Sequence, residues 1–144
     1  MAKVMGVVMI LSALVLAIAP VFTDCESQGG MLTTADGRSV SMKCHWAGIA
    51  EIAAAVPLGI AGIYALFGRR KEGLRFAGVV GAASGLMAIL LTTTLIGTCM
   101  NAGMSCNVLM RPIVLAAGIL GMAASVALFF TAREAELPPA AAAV

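Results

Sequence analysis

Charge is what this sequence has least of. Nine Lys and Arg with seven Asp and Glu make up 11% of its 144 residues, against about 25% in a soluble domain. The hydrophobic fraction is 61% and the mean hydropathy +1.04. Too few charges are present to coat a water-facing surface, which argues against a secreted disulfide domain and a disordered chain. A formal net charge of +2 is too small for the electrostatic footprint of a nucleic-acid binder. There is one histidine, His45, so neither a His-rich metal site nor a catalytic triad is available. P-loop, H-E-x-x-H, Gly-x-Ser-x-Gly and G-x-G-x-x-G patterns are missing as well. No cofactor is called for, and an enzyme is the less favoured reading. An integral membrane protein remains.

Four stretches reach the ~20 apolar residues that a spanning helix needs. They run over 4–22, 46–67, 76–97 and 112–131. Apolarity is continuous in each, without the period-two alternation of barrel strands. The expected fold is all-α: an integral membrane four-helix bundle whose single domain fills residues 1–134. Residues 135–144, with Pro138-Pro139 and an alanine run, read as a disordered cytoplasmic tail.

Basic residues in the short loops set the direction. Lys3, Arg69, Arg70, Lys71, Arg75 and Arg133 fall on one side. Arg38, Lys43 and Arg111 fall on the other, offset by Asp24, Glu26 and Asp36. Both termini are therefore expected in the cytoplasm, with two loops outside a plasma (inner) membrane. Trp46 suits an outer interfacial anchor. Span one also resembles a cleaved signal peptide ending at Ala17-Ile18-Ala19, but Pro20 would obstruct cleavage and no lipobox precedes Cys25. A retained helix is the expectation.

Small residues recur at spacing four: Ala77, Gly81 and Gly85 in span three; Ala117, Gly121 and Ser125 in span four; Ala47, Ala55 and Gly59 in span two. Such ridges let helices approach closely in lipid, within one bundle or against a partner subunit. Glu51 interrupts the ridge of span two, and a carboxyl inside a span faces protein or water. Five residues below Trp46, it sits roughly 7–8 Å into the span. Thr92, with Thr93 and Thr94 beside it, has a comparable depth from the outer end of span three. Glu51 also shares a helix face with Cys44, seven residues earlier. Two readings stand close to even for Glu51, Thr92 and Thr93: a polar lock on helix packing, or a ligand or proton site.

All four cysteines fall on the outer side. An even number in an oxidising compartment reads as two disulfides. Cys25 with Cys44 and Cys99 with Cys106 is the favoured pairing, because each closes within its own loop; a crossed pairing stays open. Two functional readings compete. Four spans and two outer cysteine pairs have the topology of the quinone-coupled thiol oxidases of the DsbB type, but the C-x-x-C motif is missing: eighteen residues separate Cys25 from Cys44, and six separate Cys99 from Cys106. The likeness is topological only. The second is Cu(I), or a haem-linked site, since thiolate and thioether ligands suit soft ions and Met100 and Met104 lie between Cys99 and Cys106. His45 completes that candidate set. Against it stands the fact that oxidised cysteines cannot ligate.

Two segments resemble a known family. One is Met42-Lys43-Cys44-His45-Trp46, followed by Ala50-Glu51-Ile52. The other is Leu95-Ile96-Gly97-Thr98-Cys99-Met100-Asn101, then Met104-Ser105-Cys106, then Arg111-Pro112. Together they resemble small bacterial four-helix membrane proteins grouped as domain of unknown function family 4418, over nearly the whole chain. The four cysteines, the Cys-His-aromatic step and the Glu look like its hallmarks, while Ala102 and Ser105 stand where a Pro is frequent. The resemblance implies four spans and cysteine-bearing outer loops. It also implies an accessory or structural subunit of a membrane complex such as an export-type ABC permease. The lead expectation is that role, with lipid and a membrane-protein partner or a second copy as contacts.

Overall fold

A computed structural model describes residues 1–23, 29, 32–99 and 103–132. Its helices are α1 (Ala2–Thr23), α2 (Lys43–Phe67), α3 (Lys71–Leu90) and α4 (Arg111–Thr131), with β1 (Leu32–Thr33) and β2 (Ser39–Val40) between α1 and α2. Helix α3 continues into a π-helical turn, Leu91–Leu95, and another, Cys106–Met110, leads into α4. Each helical unit is long and apolar enough to cross a membrane.

The helices form an antiparallel ring in which α1 touches α2 and α4, and α3 touches α2 and α4. Its chemistry is inverted relative to a soluble bundle. Val4, Leu11, Ile60, Phe76, Leu120 and Phe130 are exposed, as suits lipid contact, whereas the interior is mostly Ala, Gly and Ser around Met9, Leu16, Leu58 and Leu128. The small-residue ridges face inward. A Cβ on Gly85 would lie 2.9 Å from the Gly118 carbonyl oxygen, and one on Gly6 would lie 2.8 Å from that of Gly62. Backbone therefore meets backbone in both the α3–α4 and α1–α2 pairs, which is how helices gain packing contact where lipid gives no hydrophobic drive.

Three features depart from the sequence expectation. First, α2 begins at Lys43 and α3 at Lys71, so charged residues form first turns that a count of apolar residues leaves out. Second, a small hairpin sits in the first loop: Thr34 N–H donates to Arg38 O at 2.9 Å, Gly37 turns at φ +74°, and β1 pairs antiparallel with β2. Third, the two helix ends that flank the second loop are π-helical. Thr93 and Thr94 send their hydroxyls back to the carbonyls of Ile89 and Leu90 at 2.7 and 3.2 Å, and Thr92 shares its one hydroxyl hydrogen between the Ala88 carbonyl at 3.0 Å and Glu51 Oε1. Those carbonyls are the ones an α-helix would offer to the same residues' N–H groups, and the competition widens the turn. In the second π turn, Arg111 N–H donates to Cys106 O, five residues back. Pro112 has no N–H for Val108, so the ordinary turn cannot close there.

Candidate functional site

The π turns decide where the cysteines go. Cys44 is the second residue of α2 and Cys106 the first of the second π turn; both are fully buried. Cys99 follows the first π turn by a short route. Gly97, in the left-handed region at φ +72°, ends the helix and donates its N–H to Leu91 O at 3.0 Å. Only glycine takes that conformation without steric cost. The chain then turns across the mouth of the ring, and Cys99 arrives beside Cys44 with 3.4 Å between their Sγ atoms. The sulfurs of Cys44, Cys99 and Cys106 all lie within 4.8 Å of one another.

This corrects the loop-by-loop disulfide pairing. Cys99 and Cys106 do not close their own loop, and no two of the described sulfurs stand at the ~2.05 Å of a covalent bond. Cys25, the expected partner of Cys44, lies outside the described residues. The pairing assumed two separate loops, each free to fold on itself. The ring instead brings α2, α4 and the α3 exit together at one end, so three sulfurs from three elements converge.

Asn107 holds the cluster. Its side-chain amide donates to Cys99 O at 2.5 Å, and its Oδ1 accepts from the Thr98 hydroxyl at 2.5 Å. The residue after Cys106 thereby fixes the backbone that carries Cys99. The sequence reading passed over it, since nothing local marks an Asn bonded to a residue eight positions away. Met110 is fully buried in the bundle's apolar core, which also holds Cys44 and Cys106, and Met42 and Met104 pack against that core. Met100 lies outside the described residues. His45 is half-buried with its ring edge-on to Trp46, centroids 5.9 Å apart, and does not join the sulfur group.

Glu51 lies deeper. It is fully buried in the ring, and Thr92 of the first π turn donates its hydroxyl to Glu51 Oε1 at 2.6 Å. Among the described residues, the other carboxyl oxygen, Oε2, has no hydrogen-bond partner. This bond ties α2 to the end of α3 beneath the sulfur cluster. Thr93 is exposed, and its hydroxyl goes to its own helix.

The arrangement offers three polarizable sulfurs at short mutual range, two of them shielded from water. That set can do two things: close on a thiophilic ion or exchange electrons as thiol and disulfide. The comparisons with known proteins add a family and no activity. Residues 3–131 match the family model described as Domain of unknown function (DUF4418), and the chain belongs to that family. No curated protein and no solved structure matches it.

Proposed function

We propose that this protein is a membrane-embedded Cu(I)-binding protein whose ligands are Cys44, Cys99 and Cys106, set at the outer end of a four-span bundle with both termini in the cytoplasm. The convergence of three sulfurs within 4.8 Å carries the reading. Thiolates select soft ions, and Cu(I) suits a set of three sulfurs. A structural zinc site wants four ligands, and among the described residues no histidine or carboxylate joins the three. Burial of Cys44 and Cys106 also keeps outside thiols away from those two sulfurs, since exchange needs access to the sulfur.

The test is an anaerobic Cu(I) titration of the full chain in detergent against a chromophoric competitor. One ion should bind per chain, and Ser at position 44, 99 or 106 should each weaken binding at least about a hundredfold, the upper cost of losing an outer-shell partner. Zinc bound in preference to copper, or three Ser variants as tight as the parent, would overturn the assignment.

Thiol redox chemistry is the second reading, favoured by the 3.4 Å contact between Cys44 and Cys99. It predicts a cross-loop Cys44–Cys99 disulfide in protein alkylated rapidly in native membranes. The accessory-subunit role has no observation to carry it, because the small-residue ridges are spent on contacts between helices of the same chain.

A further inference from the structure

Beside the sulfur cluster is a cavity of about 490 Å³, lined by Thr92, Thr93, Thr98, Asn107, Arg111 and Cys99. Its volume falls in the ~300–1,000 Å³ range of small-molecule sites, and two properties narrow the ligand. Cys99 belongs both to the cavity wall and to the cluster, and it is the one partly exposed cysteine of the three, with Cys44 and Cys106 fully buried. Whatever reaches the cluster through this cavity meets Cys99 first. The charge on the wall is of one sign: Arg111 is exposed, makes no ion pair among the described residues, and stands among hydroxyl and amide groups with no carboxylate on the lining. Glu51 lies behind Thr92, bonded to it and fully buried.

We propose that this cavity is the loading port of the cluster. It takes an anionic complex of Cu(I) with a small thiol, holds it on Arg111, and passes the ion to Cys99; the inference rests on the Cu(I) reading above. A complex of Cu(I) with two thiolates carries net negative charge, which a lone guanidinium at a membrane boundary attracts. The transfer is a ligand exchange. The Cys99 Sγ–Cu bond forms as a Cu–S bond to the carrier breaks, the Cys99 thiol proton leaves on the released carrier thiolate, and copper remains Cu(I) throughout. Cys44 then displaces the second carrier sulfur in the same way, and Cys106 adds as the third ligand with its thiol proton released to water.

The experiment is anaerobic stopped-flow loading of the full chain in detergent from two probes, the anionic Cu(I)–glutathione complex and the cationic Cu(I)–acetonitrile complex. Arg111→Gln should slow loading from the glutathione complex about fivefold and Arg111→Glu more, with a weaker salt dependence than the parent, as for a charge at the rim of a binding site. Arg111→Gln should load from the acetonitrile complex at the parental rate, and all three proteins should reach the same final stoichiometry. Equal rates from the anionic probe in all three would overturn the proposal, and so would an equal slowing of both probes. A parent protein that takes copper from neither probe would overturn the cluster assignment and this inference together, which separates that failure from a loss confined to the port.

Discussion

The bond between Thr92 and Glu51 makes a quantitative prediction about the bundle beneath the cluster. Thr92→Val keeps the shape of the side chain and removes one hydroxyl. That hydroxyl donates to Glu51 Oε1 at 2.6 Å, and Glu51 Oε2 already has no partner among the described residues. The variant therefore leaves a fully buried carboxyl with neither oxygen satisfied. An orphaned buried polar group costs about 1–3 kcal/mol, while side-chain hydrogen bonds measured inside membrane proteins average about 0.6 and reach about 1.7 kcal/mol. A loss of about 1–2 kcal/mol is expected. Glu51→Met with Thr92→Val removes both partners, so the double variant should lose less than the sum of the single ones, with a coupling near 1 kcal/mol. Unfolding by increasing SDS in mixed micelles, followed by far-ultraviolet circular dichroism, measures each corner of the cycle. A Thr92→Val protein as stable as the parent, or a coupling near zero, would refute the claim that this pair joins α2 to α3.

The close backbone approaches make a contrasting pair of predictions. Gly85→Ala puts a methyl 2.9 Å from the Gly118 carbonyl oxygen, which cannot rotate away, and should cost about 1–3 kcal/mol; Gly59→Ala meets only Ala13 Cβ at 3.5 Å and should be neutral or stabilising by up to about 1 kcal/mol. The same SDS titration ranks them. Gly97→Ala forces a side chain into φ +72° at a cost of about 1–2 kcal/mol. It should weaken Cu(I) binding up to about tenfold, because Gly97 sets the path of the chain to Cys99; copper affinity unchanged in a folded variant would show that the turn does not position the sulfur.

The helices were legible because lipid-facing helices must be apolar over a bilayer's thickness, and this chain has four such runs. Their ends were less so. Lys43 and Cys44 begin α2, and Lys71 begins α3, yet a rule that counts apolar residues starts each later. The π turns were also hidden. Their causes, three hydroxyls returning to carbonyls and a proline without an N–H, are visible as Thr92-Thr93-Thr94 and Pro112, but which way the widened turns aim Cys99 and Cys106 depends on the whole ring. The disulfide expectation failed at the same point. Spacing along the chain measures loop length, and the approach of Cys44 to Cys99, fifty-five residues apart, is set by helix packing. Depth arithmetic did better for Glu51: a helical rise counted from Trp46 set it level with Thr92, and the two meet.

X-ray absorption at the copper edge of Cu(I)-loaded protein reads the ligand set itself, with Cys25→Ser measured alongside the parent. Three sulfur neighbours and an unchanged spectrum in the variant are expected if Cys44, Cys99 and Cys106 make the site. Nitrogen or oxygen ligands, or a sulfur shell that loses a member when Cys25 is replaced, would contradict that assignment.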